Sequence, residues 1–192
     1  DIDSERIKSA KEDELEGIAP RQFTDAYLET LALYRKIAGW MLQHDTMLFH
    51  GSAIGLDGEG YLFAAKSGTG KSTHTRLWRQ VFGDRAVMVN DDKPFLRITA
   101  DGVLAYGSPW SGKHGLASNV CVPLKGICSL RRGKENVIRC ADANTLMELL
   151  SRQVHLPEDA SLAKTALSHL EQVARMVPLW EMQCNKELDA AR

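Results

Sequence analysis

No run of apolar residues in this sequence approaches the roughly 20 that a membrane-spanning helix requires, and no signal peptide opens it. Neither sign of charge is in excess, since 24 Lys and Arg face 25 Asp and Glu for a formal net charge of -1. Nucleic acid and anionic membranes usually call for a basic surplus, so neither is expected as a partner, although a local basic site remains compatible with the balance. Cysteine is sparse and dispersed. Cys121, Cys128, Cys140 and Cys184 form no C-x-x-C pair, which argues against a disulfide framework or a zinc site and fits a reducing cytoplasm. Internal repeats and low-complexity segments are also missing.

What remains is an ordinary globular composition of 192 residues, 44% hydrophobic and 26% charged. A chain of that length buries about 70% of its unfolded surface, so it needs no covalent or metal staple. The sequence begins at Asp1 rather than Met and stops at Arg192, inside a stretch of helical character from Glu187. It is therefore expected to be part of a longer protein.

Residues 1–45 read as an N-terminal helical arm and residues 46–192 as one domain. In the arm, the charged segment from Asp1 through Glu16 ends at Pro20 and suggests a frayed helix. From Thr24, a plausible N-cap, Tyr27, Leu31, Tyr34, Ala38, Met41 and Leu42 recur at helical spacing up to about Gln43. The period then changes. Met47–Gly55 and Gly60–Ala65 read as strands of a hairpin around Asp57-Gly58. A helix is expected over Lys71–Phe82, a buried strand over Ala86–Asn90, and a second hairpin, Phe95–Thr99 with Val103–Tyr106, around Asp101-Gly102. After a loop at Gly107–Gly115, Pro123–Leu130 and Asn136–Cys140 suggest a third strand pair. Helices near Asn144–His155 and Asp159–Met176 and a strand over Pro178–Cys184 complete the pattern.

Between the first hairpin and its helix stands Ala65-Lys66-Ser67-Gly68-Thr69-Gly70-Lys71-Ser72, a phosphate-binding loop with Ala at the first glycine position. Gly68 and Gly70 permit backbone conformations that aim successive N–H groups at one anion, and the helix start adds its unpaired amides and positive dipole end. Lys71 is suited to the β- and γ-phosphates of a nucleotide, and the Ser72 hydroxyl to Mg²⁺. Such a match arises by chance in roughly one chain of this length in 70. Here the strand before it and the helix after it supply the required context, so nucleotide binding is the strongest expectation.

A magnesium nucleotide also needs a carboxylate, and Asp91-Asp92 closes an apolar strand where one would serve. Adjacent residues of an extended strand face opposite ways, so one carboxylate can approach the metal while the other accepts a proton. If Asp57-Gly58 is the hairpin turn, opposed residue numbers sum to 115, which sets His50 across from Ala65 and beside the loop. The acidic pair follows Lys71 by only 20 positions, and the strand entering the loop is antiparallel to its predecessor. This predicts an α/β fold with a mixed, largely antiparallel sheet, flanked by N- and C-terminal helices.

His50-Gly51, the loop Ser67–Ser72 and the strand ending in Asp91-Asp92 together resemble the kinase domain of HPr kinase/phosphorylase. More distantly they resemble the nucleotide site of phosphoenolpyruvate carboxykinases. Residues 24–99 look closer still to HPr-kinase-like proteins of gut bacteria, in which this core follows an additional N-terminal region. The resemblance implies ATP with Mg²⁺ and transfer of the γ-phosphoryl group to a hydroxyl. It implies Asp91 as proton acceptor, Asp92 with Ser72 at the metal, His50 supporting the acid, and Lys71 on the phosphates. Ser67, Gly68, Thr69, Gly70, Lys71, Ser72 and Thr73 would bind the nucleotide. Two departures stand out. Thr73 replaces the glutamate usual after the loop, and Ser108–Gly115 replaces a glutamate-containing, glycine-rich segment.

Within that replacement, Lys113 between Gly112 and Gly115 could close over the γ-phosphate or an acceptor, and Trp110 could stack on adenine or fill the core. Lys125, Arg131, Arg132 and Arg152 read as surface charges, and His74 as a surface or packing residue. The leading expectation is a cytoplasmic kinase acting on a hydroxyl of a peptide, protein or small molecule. A nucleotide-binding regulatory module or a simple ATPase is the alternative, and a homo-oligomer is left open.

Overall fold

The computed structural model describes residues 2–15, 19 and 22–192, so Asp1, Glu16 and Pro20 of the expected arm lie outside the described residues. The charged start forms a helix, α1 (Ile2–Leu15). It lies against α2 (Asp25–Met41) and is held there by the Glu5–Arg35 ion pair at 2.5 Å, with both side chains largely enclosed. Thr24 caps α2 as its position suggested, its hydroxyl accepting from the Tyr27 amide. That helix turns Leu28, Tyr34 and Ala38 inward but leaves Tyr27 exposed.

Among the described residues, nine strands form one sheet: β1 (Thr46–Leu48), β2 (Ser52–Leu56), β3 (Glu59–Ala64), β4 (Ala86–Asn90), β5 (Phe95–Thr99), β6 (Gly102–Tyr106), β7 (Cys121–Arg132), β8 (Val137–Cys140) and β9 (Leu179–Cys184). The order runs β1-β5-β6-β7-β3-β2-β4, with β9 also on β7 and β8 on β9. Among these strands β3–β7 and β7–β9 pair in parallel and the other pairs are antiparallel, so the sheet is mixed and mostly antiparallel. The helices between strands are α3 (Lys71–Phe82), α4 (Ala143–Ser151) and α5 (Ala160–Met176). Among the described residues, no helix is long and apolar enough to cross a membrane.

Strand alternation distributes the core to the two faces of this sheet. Ala53, Leu62, Ala64 and Ile127 join the cluster under Ala166, Leu170 and Val173 of α5. Their neighbours Ile54, Phe63, Ala65 and Cys128 join the cluster under Leu77 of α3. A third cluster seats Tyr34 and Ala38 of α2 on Leu48 and Phe95. Two layers of helix around a sheet leave the strand ends free for chemistry.

The first hairpin has the expected register, Ser52 opposite Phe63 and Leu56 opposite Glu59. Asp57 and Gly58 both have positive φ, 52° and 85°, as a tight mirror-image turn demands. Three expectations are corrected. Met47–Gly55 is not one strand: it breaks at His50-Gly51, because β1 pairs with β5 while β2 pairs with β3 and β4. At the break, His50 N–H donates to Gln153 O and Gly51 N–H to Asp92 O. The second turn is Ala100-Asp101, since Thr99 opposes Gly102. Finally, β7 and β8 do not pair with one another. The α5 crossover returns β9 parallel to β7, and β8 joins the far edge of β9.

Gly107 marks a close passage of backbone. A Cβ there would lie 1.9 Å from Ser118 O and 2.9 Å from Val89 O, main-chain atoms that cannot swing aside. Gly107→Ala is expected to destabilise the fold by about 1–3 kcal/mol or more, read as a lowered thermal midpoint. A midpoint equal to the parent's would contradict this packing.

Candidate functional site

The loop after β3 folds as its glycines dictate. Gly68 and Gly70 have φ of 75° and 126°, values that L side chains rarely adopt. Thr69 N–H donates to Lys66 O at 3.2 Å, and His74 N–H to Gly70 O at 2.9 Å, which starts α3 directly from the loop. No acidic residue stands in the first turn of α3 to compete for its amides. Lys71 is largely enclosed and its ammonium donates to Ala65 O at 3.0 Å, so the side chain lies back along the loop. Ser67 and Gly68 are exposed, while Thr69, Gly70, Ser72 and Thr73 are partly so. The result is a glycine-rich turn that opens onto a helix start and carries a lysine, an arrangement suited to an anion.

Asp91 is buried, and Ser52 Oγ donates to its Oδ1 at 2.7 Å. The same Ser52 Oγ lies 2.9 Å from Thr75 Oγ1, which sits over the carbonyls of Lys71 and Ser72 at 3.4 and 3.3 Å. A chain of buried hydroxyls thus ties the acidic pair to the first turn of the loop's helix. Ser52 reaches Asp91 because β2 and β4 pair with Ala53 opposite Asn90, one residue away.

Asn90, wholly buried, fixes the turn that follows. Its Oδ1 accepts from the amides of Asp92 and Lys93 at 2.8 and 2.6 Å. Its Nδ2 donates to Ser108 O and Oγ at 3.0 and 3.1 Å, which anchors the 107–115 segment to the site.

Asp92 points elsewhere, as adjacent strand positions should. His50 Nε2 is 3.4 Å from its Oδ1 and Lys93 Nζ 3.9 Å from its Oδ2. Burial, reinforced by the charges of Lys93 and Lys71, pushes His50 down to about 2 even though 27% of its side-chain surface remains exposed. The contact with Asp92 is therefore that of a neutral imidazole, not an ion pair. Burial also pushes His74 and His155 down to about 4, with Arg35, Lys93 and Lys8 adding to the effect at His155.

A histidine depressed on folding binds its proton more readily in the unfolded chain. Its contribution is complete above the unfolded value near 6.5 and is lost as pH falls toward the folded value. Stability is expected to be level at pH 7–8 and to decline below about pH 6.5, by about 1.4 kcal/mol per pH unit for each of the three. Urea midpoints across this range measure it. A midpoint unchanged between pH 7 and pH 5 would contradict the neutral assignment.

The residues singled out from sequence fall into place unevenly. The Ser67–Thr73 loop, Asp91 and Asp92 share one end of the sheet, and His50 stands beside Asp92 although its strand is broken. Lys113 is exposed on a 3₁₀ turn, Gly112–His114. Its neighbour Gly112 abuts Asp92, where a Cβ would lie 3.0 Å from that residue's Cβ. Trp110 packs on Tyr34 and Phe95, with centroids 5.8 and 6.3 Å apart, and so fills the core. His74 is buried and accepts from Trp78 Nε1 at 3.2 Å. Lys125, Arg131 and Arg152 make ion pairs with Glu59, Glu181 and Glu148.

Arg132 is the exception among the expected surface charges: its guanidinium donates to two carbonyls of the 67–73 loop. Sequence reasoning also passed over Ser52, Thr75, Asn90 and Lys93. The Lys93 ammonium follows the acidic pair directly and would have been the easiest to notice. All four cysteines are free thiols, and burial pushes that of Cys128 up to about 12.

No family model matches the chain, and no curated protein matches it. Among solved structures, the HPr(Ser) kinase/phosphatase from Coxiella burnetii has a similar chain path, with a TM-score of 0.42 and 10% sequence identity. The match covers 71% of this chain and 84% of that one. It is a distant likeness of fold, and the functional reading rests on the site itself.

Proposed function

We propose that this chain is an ATP- and Mg²⁺-dependent kinase that transfers the γ-phosphoryl group to a hydroxyl of a peptide, protein or small molecule. The observation that carries the reading is the buried Asp91–Ser52–Thr75 chain, which couples an acidic pair to the helix of a phosphate-binding loop. A turn that merely bound an anion would have no use for that coupling.

In this reading the loop amides of Ser67–Thr73 other than that of Thr69, which donates to Lys66 O, join the Lys71 ammonium in holding the phosphates, and Lys113 closes over them from the 107–115 segment. The Ser72 hydroxyl and Asp92 carboxyl are hard oxygen donors, a set that fits Mg²⁺ shared with phosphate oxygens and water. Bound there, Mg²⁺ would neutralise charge on the phosphates. His50, neutral, orients Asp92. Asp91 accepts the proton of the attacking hydroxyl as its oxygen bonds to the γ-phosphorus. The bond from that phosphorus to the β–γ bridging oxygen breaks, and ADP carries away the electron pair. Catalysis then comes from positioning and charge neutralisation, without a covalent enzyme intermediate.

The test is incubation of the chain with γ-labelled ATP, Mg²⁺ and cell extract beside the Lys71→Ala and Asp91→Asn variants. Label transferred to an extract component by the parent and lost in both variants supports the reading. Transfer that survives either substitution overturns the assigned mechanism. Saturable nucleotide binding with no transfer under any condition would instead identify a nucleotide-binding regulatory module, a reading to which Thr73 in place of the usual glutamate lends support.

A further inference from the structure

We propose that Arg132 is the positioning residue of the phosphate loop, fixing its turn and setting the Gly70 amide for the anion without itself touching phosphate. The proposal rests on reading that loop as the nucleotide site. Arg132 closes β7, the strand that runs parallel beside β3 with Ala64 opposite Ser129. Three residues past that last pair, its side chain reaches over the loop that β3 feeds. Arg132 Nε donates to Thr69 O at 3.0 Å, and Nη2 donates to Gly68 O, across 63 and 64 positions of sequence.

The two carbonyls it grips are those whose orientation matters. A trans peptide holds its C=O and N–H on opposite sides. Turning Thr69 O toward Arg132 therefore turns the other half of that peptide, the Gly70 amide, the opposite way. The Gly68 carbonyl belongs with the Thr69 amide, which makes the turn back to Lys66 O. One planar guanidinium thus fixes two successive peptide units.

Those units lie between Gly68 and Gly70, both at positive φ, where the absence of side chains leaves the chain many conformations. Selecting one of them before the ligand arrives lowers the ordering cost of binding. Lys71 performs the matching service at the start of the loop through Ala65 O, at 3.0 Å. The carbonyls are thereby covered by two cations on the protein side. Lysine at position 132 could not imitate the fork, because an ammonium is a point donor where guanidinium offers parallel N–H groups.

The experiment compares Arg132→Ala and Arg132→Lys with the parent in binding of Mg-ATP and of Mg-tripolyphosphate, followed by addition of millimolar guanidinium. Arg132→Ala is expected to weaken both ligands to a similar degree, about tenfold, with the ligand-free thermal midpoint near the parent's. Arg132→Lys should fall between them. Guanidinium should restore part of the lost affinity in the alanine variant and none in the parent. Three results would overturn the proposal: both ligands bound as tightly as by the parent, a loss confined to ATP, or a loss matched by collapse of the ligand-free fold. A parent that binds neither ligand would sink the nucleotide reading itself, which is a different failure.

Discussion

Asp91→Asn is expected to lower phosphoryl transfer by about 10²–10⁴-fold while Mg-ATP binding stays within a few-fold of the parent. The substitution keeps the size of the side chain and leaves an amide oxygen to accept from Ser52 Oγ, now 2.7 Å from Asp91 Oδ1. The buried link through Thr75 to the helix of the loop can therefore persist, and with it the shape of the nucleotide site. What disappears is the capacity to accept a proton. Separate measurements of transfer rate and of nucleotide affinity check the split. Transfer within threefold of the parent would remove Asp91 from the chemistry. Equal losses of binding and transfer would recast it as a structural member of the loop's support.

Lys71→Ala should affect both quantities. Its ammonium is the one cation of the loop's own helix start, and it is already drawn along the loop by Ala65 O. In a largely enclosed position, such a donor acts at low local dielectric, where removal of one oxyanion contact costs about 10²–10³-fold in rate. Nucleotide affinity should weaken alongside, because the same contact is made to phosphate before and during transfer. The folded chain itself should survive, since the substitution leaves the glycine conformations that shape the loop unchanged. Calorimetric titration of the variant with Mg-ATP beside a thermal melt distinguishes these effects. An affinity equal to the parent's would mean that Lys71 does not reach the phosphates.

Much of this arrangement was legible in the sequence because it depends on local chemistry. Asp57-Gly58 dictates a two-residue turn, and that turn alone sets the register that pairs Ser52 with Phe63. The helix over Lys71–Phe82 and the strand over Ala86–Asn90 follow from periodicity and punctuation by glycine. The Ser67–Thr73 loop with its two glycines is written in consecutive residues. Proximity of His50 to the site was also readable, although the argument from strand register did not survive. His50 reaches Asp92 from a break in the strand, where two halves leave for different partners.

The parts that escaped depend on pairings between distant strands. Ser52 meets Asp91 only because β2 and β4 lie side by side, and an irregularity between Ala53 and Ile54 adjusts that register. Arg132 meets Gly68 and Thr69 only because β7 runs parallel to β3. Neither neighbour relation is encoded in spacing, and a serine in an apolar strand or an arginine at a strand end has no distinguishing local context. Asn90 was overlooked for a related reason. Read only as the last residue of a buried strand, it gave no sign that its side-chain amide joins the following turn to the segment at Ser108. The exchanged order of β8 and β9 arose in the same way, from a helical crossover that inserts a later strand between two earlier ones.

The central claim, that the Ser67–Thr73 loop binds a magnesium nucleotide, is tested most directly by equilibrium titration of the parent chain with ATP in the presence and absence of Mg²⁺. The account predicts saturable binding of one nucleotide per site, strengthened by Mg²⁺ and lost or greatly weakened in Lys71→Ala. A parent that binds no ATP at millimolar concentration with Mg²⁺ present, or one that binds it equally well without Lys71, would contradict it.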